Sequence, residues 1–487
     1  MSDSARRLPP WHGRSLDFES LWREYPPPPD YLDRVHSMPR DALRDLQERR
    51  FREQVKRGWD IPFYRRHWSA AGMEPGDIRG LEDLPNIPSY TVYDIRDSIA
   101  RKPPWGDFMG IDFETDQPIP LIVQTSGGTT SLPRPMLYSP RDREVMSILM
   151  GRRLSLQGVR PFDLVQITLS FGLTNAGMAA REGAWKYSGA IPIATGSGAS
   201  TPTRRQLEII REWSTSFLMG FPAYLRHMAL VARDELHFDP KALGLKGLLV
   251  HLGVDSREAL QELWGAAVYD TYGLHECGTV AADCEHRSGM HIFEDAFLVE
   301  VVDPDSAVPK PAGERGSVVL TALFRHLAPV IRYDTRDVSA FVSGTCACGG
   351  THRRLERIFG RADHMVKLRG VNLFPEAIGE VVGRDVRSNG EYVCIVETTG
   401  RSRQDELTVM VETVCDASQW STFAETLQRE LKLCIGLRVV VKVVASGELN
   451  ALTGLTGASK VRRLIDRRQS PVSLLTGVRD EVAEAHL

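Results

Sequence analysis

The chain has 487 residues and a formal net charge of −3, with 42% hydrophobic and 25% charged residues. This composition indicates a globular protein of about two to four domains, and it lacks the basic excess of a nucleic-acid-binding surface. No apolar run is long enough to span a membrane, and the polar N-terminus, residues 1–14, lacks the apolar core of a signal peptide. We therefore expect a cytoplasmic protein that binds neither nucleic acid nor membrane.

The predicted elements begin with an arm, residues 1–40, that is rich in proline and charge. From Asp41 to Ala71 apolar residues recur at helical spacing. Beyond Pro120, short apolar runs alternate with amphipathic stretches, which predicts strands joined by crossover helices in α/β layers. The predicted strands are Leu164–Leu169, Ala190–Ala194, Leu248–Leu252 and Ala266–Tyr269, and the predicted helices are Arg204–Trp213 and Ser256–Trp264.

Two later regions have a different character. Residues 297–342 are β-rich, with turns of proline, glycine and aspartate, as in a meander or small barrel. From about Asp363 an α+β pattern begins, which predicts a small C-terminal domain, residues 363–487, after a core domain, residues 41–362. Its predicted helices are Pro375–Val382 and Phe423–Leu431, and its predicted strands are Tyr392–Glu397, Leu407–Val411 and Val439–Val444.

One loop carries more chemistry than any other stretch. Residues 125–134 contain two glycines, five hydroxyl side chains and Arg134, directly after an apolar run. Glycines allow the backbone to approach an anion closely, so the loop is suited to holding phosphates. It lacks the spacing of a Walker A loop, and taken alone such a stretch is more often a flexible turn.

Four further motifs follow in order. They begin at Asp270 (Asp-Thr-Tyr-Gly-Leu-His-Glu), Arg332 (Arg-Tyr-Asp-Thr-Arg-Asp), Gly360 (Gly-Arg-Ala-Asp) and Gly457 (Gly-Ala-Ser-Lys-Val-Arg-Arg). Together with the loop they resemble the core motifs of the adenylate-forming superfamily of acyl-CoA synthetases, peptide-synthetase adenylation domains and luciferases. Ile-Pro-Phe-Tyr-Arg at 61–65 and Gly-Met-His-Ile-Phe-Glu-Asp at 289–295 are most similar to the phenylacetate-CoA ligase family. The resemblance implies a large adenylation domain and a small, mobile C-terminal domain.

The resemblance also implies a role for individual residues. Lys460, His275 and Glu276 are the catalytic candidates, Glu276 is also the candidate Mg²⁺ ligand, and Asp363 matches a hinge position. Asp337 is expected to accept both ribose hydroxyls, with Arg361 nearby, and Tyr272 to stack on adenine. The complete set of ATP- or AMP-binding candidates is Thr125, Ser126, Gly127, Gly128, Thr129, Thr130, Arg134, Gly253, Val254, Asp255, Asp270, Thr271, Tyr272, Gly273, Asp337 and Arg361.

The same resemblance places the acyl pocket around Phe171, Gly172, Gly196 and Gly198, which would form a flat slot for an aromatic acid. Arg181 and its neighbour Glu182 occupy positions where the family commonly carries His and Tyr. Two interpretations stay open for this pair: a polar wall of the pocket, or a solvated helix face.

The seven cysteines are an odd number, which speaks against a disulfide framework. Cys277, Cys284, Cys346 and Cys348 fall into two close pairs around the β-rich stretch and suit a tetrahedral structural Zn²⁺ site. His286 or His291 could replace one sulfur, and four buried free thiols are the alternative.

The principal hypothesis is an AMP-forming acid–CoA ligase that uses ATP, Mg²⁺ and CoA on an aromatic or arylacetic acid, with a homodimer expected from the resemblance. A second hypothesis is a stand-alone adenylating enzyme that transfers the acyl group to a carrier-protein phosphopantetheine or an amine. A third is a nucleotide-binding protein without activity, against which the presence of Glu276, Asp337 and Lys460 argues.

Overall fold

The computed structural model describes residues 10–126, 134–253, 255–362, 366–368, 371–373, 375, 378–399, 404–435, 438–453 and 461–468. The chain divides into two compact units, Met1–Asp363 and His364–Leu487. No helix in these described ranges is long and apolar enough to cross a membrane.

The helices of the first unit are α1 (Phe18–Glu24), α2 (Arg40–Asp60), α3 (Pro62–Ala70), α4 (Val92–Arg101), α5 (Pro140–Leu156), α6 (Asn175–Gly183), α7 (Thr203–Trp213), α8 (Pro222–Leu230) and α9 (Arg257–Trp264). Its strands are β1 (Ile122–Thr125), β2 (Pro135–Tyr138), β3 (Leu164–Ile167), β4 (Ile191–Ala194), β5 (Phe217–Gly220), β6 (Gly247–Val250), β7 (Ala267–Tyr269), β8 (Thr271–Leu274), β9 (Gly278–Ala282), β10 (Met290–Ile292), β11 (Phe297–Val302), β12 (Gly316–Ala322), β13 (Tyr333–Ser339), β14 (Phe341–Val342), β15 (Arg354–Leu355) and β16 (Gly360–Arg361).

A parallel sheet with strand order β4-β3-β5-β6-β7 is the α/β part of this unit. Its central strands β5 and β6 are fully buried, and helices connect successive strands, as parallel pairing requires. The predicted strand regions in this part are confirmed, although the observed strands are shorter at their ends. Phe171 follows β3, Gly196 follows β4, Gly253 follows β6 and Asp270 follows β7, so one edge of the sheet collects these candidates. Ligands of open parallel sheets bind at that edge.

Two antiparallel sheets make up the β-rich part. One has the order β11-β12-β13-β16 and the other β14-β15-β10-β9-β8. In the first, Asp337 of β13 lies directly opposite Arg361 of β16. Cross-strand partners have neighbouring side chains, so the register brings together two residues that are far apart in sequence.

Local signals explain where the helices start and stop. Pro62 cannot donate the hydrogen bond that a continuous helix needs, so the predicted helical region 41–71 is two helices, α2 and α3. At α5, Ser139 and Asp142 form a capping box, and Pro140 occupies the first turn. The same helix is buried along nearly its whole length.

The second unit is an α+β domain. Its strands are β17 (Val366–Leu368), β18 (Val371–Leu373), β19 (Ser388–Thr399), β20 (Gln404–Thr413), β21 (Val440–Ala445) and β22 (Leu464–Asp466), and its helices are α10 (Ile378–Arg384), α11 (Trp420–Ile435) and α12 (Asn450–Thr453). The sheet order is β21-β20-β19-β22, and α10 and α11 contribute to the core on it. The predicted mixed α/β fold with an α+β C-terminal part is confirmed.

Candidate active site

The phosphate-loop candidate leaves the sheet at Thr125, the last residue of β1, and returns at Arg134. Strands β1 and β2 are antiparallel with Thr125 opposite Pro135, and the Ser126 N–H donates to the Arg134 carbonyl at 3.1 Å. The Thr125 N–H donates to the carbonyl of Leu173 at 2.8 Å, which ties the loop base to the segment after β3. Both ends of the loop are therefore fixed.

Arg134 and Glu276 form a buried ion pair beside this loop base. One guanidinium nitrogen of Arg134 donates to Oε1 of Glu276, and the two side chains are 8% and 4% exposed. Burial on its own raises the pKa of Glu276, but the charge and hydrogen bond of Arg134, together with His275 and a backbone hydrogen bond, outweigh burial and lower that pKa to about 2. Glu276 is thus a carboxylate at neutral pH, the form in which it can bind a hard cation.

His275 is held in the neutral form. Burial lowers its pKa to about 4, and the charge of Arg134 acts in the same direction. The Tyr138 hydroxyl donates to the His275 carbonyl at 2.5 Å and lies 3.4 Å from its Nε2. At neutral pH the His275 imidazole therefore adds no positive charge, and it can act as a hydrogen-bonding group.

Asp337 is the centre of a second polar cluster. Its Oδ2 accepts from the Tyr272 hydroxyl at 2.8 Å, and its Oδ1 lies 3.2 Å from Nη1 of Arg361. The Tyr272 hydroxyl is also 3.2 Å from Oγ1 of Thr335. Tyr272 is only 4% exposed, so its hydroxyl orients the Asp337 carboxylate.

Asp270 has a different environment from the one that a ligand-binding carboxylate needs. Its Oδ1 accepts from the backbone N–H groups of Leu252 and Thr271, each at 2.7 Å. Burial and the negative charge of Asp283 raise the pKa of Asp270 to about 7. Asp270 therefore shapes the backbone beside Gly253.

The remaining nucleotide candidates at this edge are backbone or rim positions. Gly253 has φ 56°, a conformation that favours glycine, and Asp255 is paired with Arg226. Thr271 and Gly273 lie in β8, where the Thr271 hydroxyl donates to the carbonyl of Ala281 at 2.8 Å. The Thr271 side chain thus stabilises the pairing of β8 with β9.

The acyl-pocket candidates also lie at the carboxyl edge of the sheet. Gly196 has φ 71°, and a Cβ there would contact Phe171 at 3.7 Å. A Cβ on Gly198 would come within 3.0 Å of the Tyr224 hydroxyl, and one on Gly172 would lie 3.6 Å from Oγ of Ser170. Of these glycines, Gly196 is the one at which a Cβ would contact the Phe171 ring.

The structure places Arg181 and its neighbour Glu182 in different environments. Arg181 is exposed on α6. Glu182 turns to α5, where its Oε2 is 2.8 Å from Nη2 of Arg143 and accepts from Ser147 at 3.0 Å. Arg143 also donates to Gln124 of β1, at 3.2 Å. Sequence reasoning missed Arg143, because nothing in the pattern separates it from the other arginines of this helix.

A compact group of side chains that could hold a metal ion lies in the β-rich part: Cys284, His291, Cys346 and Cys348, hereafter the Cys/His cluster. One ligand atom from each lies within 4.8 Å of all the others. The Cys284 and Cys346 sulfurs are 3.6 Å apart, and the Cys348 sulfur is 3.4 Å from Nε2 of His291. Ligand atoms of a tetrahedral zinc ion lie ~3.6–3.8 Å apart, so these spacings fit.

Cys277 is not a member of this group, which corrects the predicted set of four cysteines. The five residues of β9 separate it from Cys284, and an extended strand of that length spans roughly 16 Å. Cys277 is fully buried near Glu276, and burial raises its thiol pKa. His291 provides the fourth ligand atom, one of the two histidine substitutes that the sequence left open.

Several predicted site residues lie outside the residues that the structure describes. They are Gly127, Gly128, Thr129, Thr130, Val254, Asp363 and Lys460.

Comparisons with known proteins find similar chains and structures. Residues 370–468 match the family model described as AMP-binding enzyme C-terminal domain. The phenylacetate-coenzyme A ligase of Thermus thermophilus is 30% identical over 465 residues, which cover 90% of this chain and 100% of that protein.

Solved structures of 2-hydroxyisobutyryl-CoA ligase are also similar. The structure in the postadenylation state, in complex with R3-HIB-AMP, has a TM-score of 0.79 and 28% identity, covering 91% of this chain and 94% of that one. The structure with 2-HIB-AMP and CoA in the thioesterification state has a TM-score of 0.65 with the same identity and coverage. The chain therefore belongs to the phenylacetate-CoA ligase family of AMP-forming acid–CoA ligases, within the adenylate-forming superfamily.

Proposed function

We propose that the protein activates an aromatic or arylacetic carboxylic acid with ATP and transfers the acyl group to CoA. The observation that carries this proposal is the buried Arg134–Glu276 pair at the fixed base of the phosphate loop. It puts a permanent cation and an ionised carboxylate beside the glycines and hydroxyls that would bind the phosphates.

In the first step a carboxylate oxygen of the acid attacks the α-phosphorus of ATP. The new P–O bond forms as the bond to the pyrophosphate oxygen breaks, which leaves an acyl-adenylate. Negative charge accumulates on the phosphate oxygens, so fixed positive charge and orientation are what the protein must supply. We assign Arg134 to the phosphates, and the neutral His275 to a hydrogen bond near the reacting carboxylate.

Glu276 is the residue that we assign to Mg²⁺. The ion prefers oxygen ligands and substrate phosphates, and a carboxyl group whose pKa is lowered to about 2 meets that preference at every physiological pH. When bound, Mg²⁺ neutralises part of the triphosphate charge.

The Asp337 cluster suits the ribose. A carboxylate can accept two hydroxyl hydrogen bonds at once, and Tyr272 and Arg361 fix its orientation before the nucleotide arrives. We therefore propose that Tyr272 positions Asp337 as well as lying near the adenine.

Lys460 is proposed to bridge the carboxylate oxygen and the α-phosphate with its ammonium group, and Asp363 to act as a hinge between two catalytic states. A lysine suits this role because its point charge sits on a flexible stem. This proposal rests on the order of motifs in the sequence, and on the match of residues 370–468 to the C-terminal family model.

The aromatic class of the acid is supported by Phe171 and by the adjacent Gly196, which has no side chain to fill the space beside the ring. The relatives that match over most of the chain are named phenylacetate-CoA ligases. We prefer CoA over a carrier protein or an amine as the acceptor, because these relatives are named as coenzyme A ligases. We retain the homodimer as the proposed state, on the family resemblance.

The Cys/His cluster is proposed to hold a structural Zn²⁺, for which three thiolates and one imidazole at tetrahedral spacing are suitable donors. Residues that would hold it are Cys284, His291, Cys346 and Cys348, and when bound the ion would cross-link the β9–β10 segment to the loop between β14 and β15.

The test is acid-dependent exchange of radiolabelled pyrophosphate into ATP, followed by AMP release with CoA, across benzoic, arylacetic and short aliphatic acids. We expect exchange with an aromatic acid, CoA-dependent AMP release, and loss of both in Lys460→Ala. Exchange without any CoA dependence would favour transfer to a carrier protein or amine. Unchanged exchange in Lys460→Ala would refute the role of that lysine.

A further inference from the structure

His36, near the end of the N-terminal arm, lies against the Cys/His cluster. Its side chain is 5% exposed, and its Nε2 is 3.4 Å from the Cys348 sulfur. That is the same distance as from His291 Nε2 to this sulfur, and the two imidazole rings are 4.9 Å apart. One sulfur of the cluster is thus shared between a cluster histidine and the arm.

The backbone on both sides keeps this contact tight. The Thr351 N–H donates to the His36 carbonyl at 3.0 Å, and the Thr351 hydroxyl donates to the Met38 carbonyl at 2.6 Å. A Cβ at Gly350 would come within 2.4 Å of His36 Nε2, so only glycine permits the arm to approach this closely.

The groups around His36 indicate which of its ring nitrogens carries the proton. The Gly350 N–H points at the Cys348 sulfur, at 3.4 Å, and His36 Nε2 approaches the same atom. His36 Nδ1 is buried and has no hydrogen-bond partner within the described ranges, so the tautomer with its proton on Nε2 is favoured. That N–H can donate to a thiolate, as the partners of metal ligands commonly do.

We propose that a metal at the Cys/His cluster fastens the N-terminal arm, with His36 as the positioning residue that holds the Cys348 thiolate. A bound metal would fix the Cys348 sulfur at the position where His36 contacts it, and docking of residues 31–40 would in turn hold that sulfur in place for the metal. The two events must therefore favour each other by the same factor. This inference rests on the proposed zinc assignment. It goes beyond that assignment, which links only the β9–β10 segment to the loop between β14 and β15.

Other contacts keep the arm attached when the metal leaves. Arg40 is paired with the buried Glu294, and the Arg152 guanidinium lies 4.2 Å from the centre of the Tyr31 ring. The expected response to metal removal is therefore local loosening of residues 31–40, while the chain as a whole stays folded.

The experiment uses the full-length protein loaded with one equivalent of Zn²⁺. The rate of Zn²⁺ transfer to a chromogenic chelator is measured for the unmodified chain, His36→Ala, His36→Gln and the control His67→Ala. His67 is another N-terminal histidine, whose Nε2 lies 3.1 Å from the Ser89 carbonyl, away from the cluster. Amide hydrogen exchange of residues 31–40 is followed before and after chelation.

We expect His36→Ala to release zinc about tenfold faster or more, which is the usual effect of losing such a partner. His36→Gln retains an N–H donor and should stay closer to the unmodified rate, and His67→Ala should match it. Chelation should accelerate exchange in residues 31–40 of the unmodified chain and have little further effect in His36→Ala.

Equal zinc release rates in His36→Ala and His67→Ala would overturn the inference. Amide hydrogen exchange in residues 31–40 that does not change on chelation would also overturn it. The exchange measurement on the unmodified chain needs no variant, so misfolding of His36→Ala cannot hide the answer. A chain that binds no zinc overturns both this inference and the zinc assignment, whereas pyrophosphate exchange reports the ligase activity independently of either.

Discussion

Arg134 and Glu276 are 142 residues apart in sequence and form one buried ion pair. Arg134 lies at the end of the phosphate loop, directly before β2, and Glu276 lies in the turn after β8. Both groups stay ionised because each offsets the desolvation of the other. The pair thus keeps opposite charges ready at one end of the phosphate loop.

Replacing Glu276 by Gln should preserve the shape of the site and remove its charge. We expect acid-dependent pyrophosphate exchange to fall by about 10²–10³-fold, comparable to losing one preorganised electrostatic group in other enzymes. The control is Glu285→Gln, which removes an exposed carboxylate paired with Arg160. Similar rates in the two variants would contradict the role of Glu276.

Tyr272→Phe removes the hydroxyl that orients Asp337. The hydrogen bond is worth about 0.5–1.5 kcal/mol, so the KM for ATP should rise roughly two- to tenfold with a smaller change in kcat. Tyr25→Phe is the matched control, because its hydroxyl is also buried but donates to the carbonyl of Leu323. An ATP KM that rises equally in both variants would count against the ribose assignment.

Acidification should remove the stability that the buried, neutral histidines contribute. Burial lowers the pKa of His275 and of His326 from 6.5 to about 4. The unfolded chain therefore binds more protons between these values, and stability is lost as pH falls from about 6.5 to about 4. Each histidine contributes no more than about 3 kcal/mol.

Thermal unfolding measured across this pH range tests the prediction. His275→Gln should have a shallower pH dependence than the unmodified chain, because one of the histidines whose pKa is lowered by burial is gone. A pH profile identical to that of the unmodified chain would mean that His275 does not carry a lowered pKa.

Cys284→Ser and Cys277→Ser separate the cluster from the nearby buried thiol. We expect zinc content, measured by elemental analysis of the purified protein, to fall well below one equivalent in Cys284→Ser and to be retained in Cys277→Ser. The reason is that only Cys284 belongs to the Cys/His cluster. Zinc loss in both variants would restore the predicted set of four cysteines.

Glu182→Ala should be far more damaging than Arg181→Ala, although the residues are adjacent. Removing Glu182 leaves Arg143 buried without this partner, and breaking a buried pair costs about 3–5 kcal/mol. Arg181 is exposed, so its loss should change stability by less than about 0.5 kcal/mol and leave the acid preference unaltered. Denaturant unfolding and an acid screen measure the two effects.

Much of the site could be read from the chain itself. The phosphate loop, the Tyr-Gly motif at 272 and Asp337 are recognisable because each combines a local turn signal with a fixed residue order. The strands and helices of the α/β part follow from periodicity, since buried parallel strands are short and continuously apolar.

Pairings between distant residues required the tertiary structure. Cys277 and Cys284 are only seven positions apart in sequence, and the extended course of β9 between them shows that they cannot share one ion. Strand β10 instead brings His291 to the cluster. The Asp337–Arg361 contact depends on the register of two strands, and His36 reaches Cys348 across 312 positions. The sequence alone determined which chemical groups are present and which local elements carry them. The tertiary structure decided which of those groups meet, because burial, charge and ligand geometry depend on through-space distances of a few ångströms that residue order does not encode.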